Sequence, residues 1–165
     1  MKKFLLTSIF ITLGFLLVGS QVVIAESDDA KKELVRQSIE VWNTGDASMA
    51  KDIFTKDFTF NMVDHKKPVL KGYKAVLAYA KFLRGAYPNM KYEPNWMVVD
   101  GDKVITQMSF TGTNTGPRGK APATNKTVEL ESILIAEIKD GKISEEWVFT
   151  NEATIYRQLG MTTIP

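Results

Sequence analysis

Residues 140–147, which read DGKISEEW, decide the fold of this chain. Asp140-Gly141 stands between two runs that are rich in apolar and β-branched residues, and glycine accepts the positive φ that a two-residue hairpin turn requires. The pattern therefore predicts two strands, over residues 127–139 and 142–151, that pair in antiparallel fashion across this turn.

Working outward from the hairpin, the chain repeats the same design once more on its N-terminal side. Residues 90–100 and 103–113 are strand-like, and Asp100-Gly101 joins them. The connection over residues 114–126 is rich in Gly, Pro and Thr and is long for a hairpin, and loops of such length are often functional. The second half of the chain therefore predicts a sheet of long antiparallel strands.

Helical spacing dominates the first half of the chain. Apolar residues recur three or four apart over residues 30–42, where Asp28 or Asp29 is the expected N-cap. A short helix is predicted over residues 47–54, capped by Asp46, and a third helix over residues 73–87, with an alternating strand around Phe60 between them. Helices followed by a sheet indicate the α+β class.

Short motifs along the chain occur in a recognisable order. They are WNTGD at 42–46, Asp64-His65, Pro88-Asn89, the DGKISEEW run and Gln158-Leu159-Gly160. Over residues 34–160 this set resembles the SnoaL-like polyketide (ester) cyclase group of the nuclear transport factor 2-like superfamily. The resemblance implies a strongly curved, mostly antiparallel sheet that the N-terminal helices wrap into an open cone, a cystatin-like α+β barrel. The superfamily also contains isomerases, dehydratases and catalytically silent binders, so the reaction must be argued from the site.

The N-terminus reads as a targeting segment. Lys2-Lys3 precede an apolar run over residues 4–18, and small residues end at Ala25. This predicts a bacterial signal peptide, 1–25, cut from a single domain, 26–165, that is secreted or periplasmic. The alternative is an uncleaved leader, which would anchor the chain in a membrane.

Charge and composition exclude several classes of partner. Without Lys2 and Lys3 the chain has 19 basic and 19 acidic residues, so no basic excess favours nucleic acid. Cysteine is absent and His65 is the one histidine, so we predict no metal site. The resemblance implies chemistry without a cofactor.

Two side chains are the first candidates for proton transfer. His65 titrates near neutral pH and can act as an acid or hydrogen-bond donor, or it can be an ordinary loop residue. Glu145 shares a predicted strand face with Trp147, and a carboxylate among aromatic rings has a raised pKa that suits a general base. The alternative for Glu145 is a rim position beside a basic neighbour.

Two further candidates lie on the same strands. Glu131 is either a second possible base or part of a solvent face, and Asn151 can donate a hydrogen bond to a carbonyl or enolate. The resemblance implies acids directly after Trp147 and four positions on, but the chain has Val148 and Asn151 there. The cyclase mechanism therefore does not transfer residue by residue.

Large apolar side chains are numerous enough to line a ligand pocket, although each can instead be core. The candidates are Trp147, Trp42, Phe60, Phe82, Met108 and Phe110. The sequence thus predicts a domain that binds a small apolar or carbonyl-bearing ligand, with cyclase-like or isomerase-like activity as one option. The other option is a non-enzymatic ligand-binding or accessory protein of the same fold. By analogy with the superfamily, we expect a possible homodimer that forms through the sheet face.

Overall fold

The computed structural model describes residues 27–63 and 70–161, and these form a curved sheet with helices packed on it. The predicted leader, 1–25, and His65 lie outside the described residues. The described part has four helices and six strands. In chain order they are α1 (Asp28–Thr44), α2 (Ala47–Ile53), β1 (Phe54–Met62), β2 (Leu70–Lys71), α3 (Tyr73–Ala86), β3 (Lys91–Asp100), β4 (Lys103–Thr113), β5 (Thr127–Lys139), β6 (Lys142–Thr150) and α4 (Glu152–Leu159).

The strands lie in the order β2, β1, β6, β5, β4, β3 in one sheet, which does not close on itself. Strands β3 to β6 are joined in succession by antiparallel pairing, whereas β1 runs parallel to β6. The predicted α+β class and cone-like, mostly antiparallel sheet are confirmed. The turn at residues 140–141 has positive φ at both positions, 51° at Asp140 and 73° at Gly141, as the hairpin interpretation requires.

The helix caps agree with the sequence prediction in one case and not in another. The Asp46 side chain accepts a hydrogen bond from the Ser48 backbone N–H at 2.8 Å and caps α2. In α1 the N-cap is Ser27, whose Oγ accepts from the Ala30 N–H at 3.2 Å. The predicted caps Asp28 and Asp29 therefore lie inside the first turn. Their negative charges there still interact favourably with the helix dipole. Helix α4 was not predicted.

Strand β6 contains a β-bulge that changes which residues face the core. Ile143 pairs with Ile138, but the next pair along is Glu145 with Glu137, so Ser144 is an extra residue. An extra residue reverses the alternation of side chains beyond it. Ile143 and Glu146 are consequently both buried. The prediction that Ile143, Glu145 and Trp147 share one face is wrong for this reason.

The two faces of the sheet differ in what covers them. The concave face packs on α1 and α3 through a core that includes Val35, Ile39 and Phe58. The opposite face leaves large apolar side chains exposed, among them Trp96 at 50% and Val98 at 52% of their surface. Pairing of two copies through this face stays a prediction. Within the described residues, no helix has the length and apolar character needed to cross a membrane.

The β5–β6 turn can be tested by Gly141→Val. A Cβ added to Gly141 would meet no atom within 4 Å, so the cost comes from the backbone, since a β-branched residue disfavours a φ of 73°. We expect a loss of roughly 1–3 kcal/mol in the free energy of unfolding, measured by urea denaturation. The control Gly85→Ala, in α3, also meets no atom. It should be neutral or stabilising, and an unchanged stability of Gly141→Val would contradict the assigned turn.

Candidate functional site

An apolar cavity lies between the concave face of the sheet and helices α1, α3 and α4. Its space amounts to about 930 Å³ when the open mouth is included. Its apolar walls come from helices α1, α3 and α4, from strand β1 and from the late strands. Among the lining side chains are Ile39, Trp42, Phe60, Met62, Leu83, Met108, Phe110, Leu130, Leu134, Val148 and Ile155.

Four of the six side chains predicted to bind a ligand lie at this cavity, namely Trp42, Phe60, Met108 and Phe110. Trp42 and Phe60 pack on each other with ring centroids 4.9 Å apart. Phe82 does not line the cavity; its side chain is 42% exposed and stacks on Tyr79 from outside at 5.9 Å.

The remaining candidates on the late strands do not line the cavity. Val148 and Thr150 do, so Trp147 lies on the other face of β6, because alternate residues point to opposite faces. Glu145, on that same face, accepts a hydrogen bond from Asn61 Nδ2 at 2.7 Å. Glu131 is exposed. The catalytic and ligand-binding roles assigned to these side chains stay predictions, without support from the shape of the cavity.

The last two predicted residues are Asn151 and His65. Asn151 is the N-cap of α4, and its Oδ1 accepts from the Thr154 N–H at 3.4 Å, so its side chain has a structural role. The role of His65 as an acid or donor stays a prediction, as this residue is outside the described part.

Sequence reasoning missed Arg118, which places a cation at the cavity. Its side chain is 13% exposed, and Nη2 lies 3.5 Å from Oε1 of Glu152, another lining residue. Its guanidinium carbon lies 4.9 Å from the centre of the Tyr156 ring. Nη1 is buried and has no hydrogen-bond partner within the described residues. Arg118 therefore holds a donor available to a ligand.

The loop that carries Arg118 is fixed by its flanks. Asn114 is fully buried, and its Nδ2 donates to the carbonyl oxygens of Ala86 at 3.2 Å and Gly116 at 2.8 Å. Its Oδ1 accepts from the Thr124 N–H at 2.9 Å. A Cβ on Gly116 would lie 1.9 Å from the carbonyl oxygen of Gly85, so only glycine allows this approach to α3. The sequence showed that residues 114–126 form a long connection, but it did not show that this connection brings Arg118 to the cavity.

Helix α4 brings Glu152 and Ile155 to the same cavity. Strand β6 ends its pairing with β5 at Thr150 opposite Ser132, which leaves Glu129 without a strand partner on that side. The Gln158 amide takes this place: its Oε1 accepts from the Glu129 N–H at 2.8 Å and its Nε2 donates to the Glu129 carbonyl at 2.7 Å. The Gln158-Leu159-Gly160 motif was the available signal, because Gly160 is the left-handed C-cap.

Hydroxyl groups complete the polar part of the lining. Burial raises the pKa of Tyr79 and of Tyr87, so both remain protonated donors at neutral pH. The Tyr87 hydroxyl and the Ser132 hydroxyl are buried with no hydrogen-bond partner in the described part of the chain. Within that part, no group of three or more acidic or histidine side chains could hold a metal ion.

A second carboxyl, on Glu146, lies behind the cavity wall. Glu146 is completely buried, and its Oε1 accepts from Ser38 Oγ at 2.9 Å, whereas Oε2 has no hydrogen-bond partner among the described residues. Burial raises its pKa to about 7, against the opposing hydrogen bonds from Ser38 and from the cavity residue Trp42. The carboxyl therefore links α1 and β6 best in its neutral form.

This linkage predicts a pH-dependent stability that Glu146→Gln should remove. The folded-state pKa of about 7 lies above the ordinary 4.5, so the stability contributed by the proton is present below pH 4.5 and is lost as the pH rises through 7. At pH 8 the variant should be more stable than wild type by up to about 3 kcal/mol, measured by urea unfolding at pH 5 and pH 8. The exposed control Glu131→Gln should not alter the pH profile. A profile for Glu146→Gln that matches wild type would contradict the assignment.

Comparison with known proteins identifies relatives of this chain. A family model described as SnoaL-like polyketide cyclase matches residues 32–159. No curated protein matches this chain significantly. The similar solved structures include TsrD from Streptomyces laurentii, with a TM-score of 0.72 and 22% identity over 82% of this chain and 98% of that one.

Two polyketide cyclase candidates have the same fold. The first is from Bacillus cereus, with a TM-score of 0.67 and 27% identity over 81% of this chain and 83% of that one. The second is IdmH from Streptomyces antibioticus, with a TM-score of 0.69 and 21% identity over 79% of this chain and 99% of that one. Since the family model spans both the helices and the cavity strands, this chain belongs to the SnoaL-like polyketide cyclase family.

Proposed function

We propose that this domain binds a small, largely apolar, carbonyl-bearing molecule in the cavity. The observation that carries the proposal is the buried Nη1 of Arg118, a donor without an acceptor among the described residues, at a largely apolar cavity. An unsatisfied buried donor costs free energy that a ligand oxygen recovers. The apolar walls around Trp42 and Phe110 would hold the body of the ligand.

The charge of the lining favours a neutral ligand over an anionic one. Arg118 and Glu152 lie 3.5 Å apart and carry opposite charges, so together they are neutral. A carboxylate or phosphate ligand at Arg118 would lie beside the negative charge of Glu152, which repels it. A neutral carbonyl accepts the hydrogen bond from Arg118 without this cost. The family and the cyclase candidates of the same fold support a carbonyl-bearing ligand and activity of the cyclase or isomerase type.

The second candidate function is that of a non-enzymatic ligand-binding or accessory protein. A specific observation favours it: Val148 lines the cavity at the position where the family resemblance implies an acid. Valine cannot exchange a proton, so the cavity can bind without catalysing. The two candidates share the ligand and differ in turnover.

Matched valine substitutions test the cavity. Val148→Phe places a ring in the cavity, whereas Val98→Phe places the same ring on the exposed face of β3. We expect Val148→Phe to weaken binding of benzophenone or β-tetralone by about tenfold or more, because the ring takes up ligand space. Val98→Phe should bind as wild type does. Affinity is measured by ligand-observed NMR titration, and equal affinity of both folded variants would contradict the proposed cavity.

We further propose that the chain is exported and that its leader, 1–25, is cut after Ala25. The support is the sequence pattern of two lysines, an apolar run and small residues before Glu26. N-terminal sequencing of protein from the extracellular or periplasmic fraction should begin at Glu26. Recovery of the intact leader in the membrane fraction would instead favour an anchor.

A further inference from the structure

A buried serine hydroxyl lies on the sheet side of the cavity. Ser132, on β5, lines the cavity and is 4% exposed, and its Oγ has no hydrogen-bond partner among the described residues. A hydroxyl that is taken out of water without a hydrogen bond costs free energy. Besides Arg118, the cavity therefore has a further polar side chain whose hydrogen bonding a ligand can complete.

The pairing of the strands fixes where this side chain lies. Ser132 pairs with Met108 of β4 on one side and with Thr150 of β6 on the other, and all three line the cavity. Directly opposite side chains on neighbouring strands have Cβ atoms about 5 Å apart, so the side chains of Ser132 and Thr150 are neighbours. Leu130 and Leu134, two residues away on β5, share this face and also line the cavity. We call Ser132 and Thr150 the sheet site, a pair of hydroxyl-bearing side chains among apolar ones.

Arg118 reaches the cavity from a different part of the chain, the connection between β4 and β5, and is called the loop site. Its guanidinium contacts Glu152 and the Tyr156 ring of α4. It also acts on the Tyr87 hydroxyl, whose pKa is raised by burial and lowered by Arg118. The Ser132 hydroxyl makes no hydrogen bond to this group within the described part of the chain. The cavity thus offers hydrogen bonds to a ligand at two separate sites.

We propose that Ser132 is a specificity-determining residue that binds a hydroxyl group of the ligand while Arg118 binds the ligand carbonyl. The inference rests on the proposed function and deepens it, because it narrows the ligand class from an apolar ketone to a neutral hydroxy ketone.

The chemistry of the two sites assigns the two ligand groups. An arginine side chain only donates hydrogen bonds, so the loop site takes an acceptor such as a carbonyl oxygen. A serine hydroxyl both donates and accepts; a ligand hydroxyl uses both functions, whereas a carbonyl uses only the donor. The lining residues Met108, Leu130 and Leu134 beside Ser132 are uncharged, so a charged ligand group there would lose water without gaining an opposite charge. A neutral hydroxyl is bound without that cost.

Loss of the Ser132 hydroxyl should affect stability and binding differently. Ser132→Ala removes a buried polar group that has no partner among the described residues, so the ligand-free variant should melt at the same temperature as wild type or higher. A hydroxyl that already had a structural hydrogen bond would instead cost stability when removed. A clear fall in the melting temperature of Ser132→Ala would therefore overturn the proposal.

Matched ligands provide the binding test and need no knowledge of the natural ligand. The probes are β-tetralone and its monohydroxy derivatives, with the hydroxyl at each position of the aromatic ring in turn, and affinity is measured by ligand-observed NMR titration. At least one derivative should bind wild type about three- to tenfold more tightly than β-tetralone, as a neutral hydrogen bond allows. In Ser132→Ala this gain should vanish, whereas the affinity for β-tetralone should stay within about twofold.

A matched control removes a serine hydroxyl from the other face of the sheet. Ser109, on β4 between the cavity residues Met108 and Phe110, points away from the cavity, and its Oγ donates to Asn95 Oδ1 at 3.5 Å. Ser109→Ala should keep the wild-type ratio of affinities for the hydroxylated and parent ketones.

Tyr87 is the competing site for the ligand hydroxyl, because its own hydroxyl is also buried at the cavity with no partner in the described residues. The two assignments differ in which variant removes the preference. A preference that is lost in Tyr87→Phe and kept in Ser132→Ala would place the ligand hydroxyl at Tyr87 and overturn the proposal.

The measurements separate failure of this inference from failure of the proposed function. No binding of β-tetralone, of its derivatives or of benzophenone would overturn the proposed function. Binding of β-tetralone with no derivative preferred, or a preference that Ser132→Ala retains, would overturn the role of Ser132 and leave the proposed function intact.

Discussion

The extra residue in β6 is the constraint on which the arrangement of the site depends. Ser144 is inserted between the pairs that Ile143 and Glu145 make with β5, and its Oγ donates to the Glu137 carbonyl at 3.2 Å. Beyond it, Glu146, Val148 and Thr150 face inward. Without it, the register would move by one residue and Glu145 and Trp147 would enter the cavity instead. One inserted residue therefore decides which carboxyl is buried and which apolar side chains line the cavity.

Much of the fold could be predicted because its signals are local. The Asp140-Gly141 turn specifies the hairpin, and the bounds of β4 and β5 agree with the predicted strands. The bulge could not be read in the same way. Its effect on alternation is that of a single inserted residue, and a serine at position 144 gives no local signal that a bulge occurs there. The prediction was therefore wrong for Glu145 and Trp147. They do lie on the same face of β6, as their spacing indicates, but that face is the one turned away from the cavity.

The candidate site divides along the same line between local and long-range information. Its apolar part was accessible from composition, since Trp42, Phe60, Met108 and Phe110 all lie at the cavity. Its polar part could not be predicted in this way. The position of Arg118 depends on contacts between distant segments, namely Asn114 with the Ala86 carbonyl and Gly116 with the backbone of Gly85.

Helix α4 illustrates the same limit from the other side of the cavity. Its place depends on Gln158 filling a strand position beside Glu129, where β6 has already ended. A side-chain amide that replaces a strand leaves no periodic pattern in the sequence. Glu152 therefore reaches the cavity through a contact that neither helix propensity nor strand alternation encodes.

The two inward carboxyls show how their surroundings divide their roles. Glu146 has no cation among the groups that shift its pKa, and burial holds it near neutrality in its protonated state. Glu152 has Arg118 beside it and lies at the cavity itself. The protonated Glu146 therefore helps to hold α1 against β6, because loss of the proton would leave a negative charge in the core. Glu152 differs in having a cation as a neighbour at the cavity, whereas the partner of the Glu146 carboxyl is the Ser38 hydroxyl.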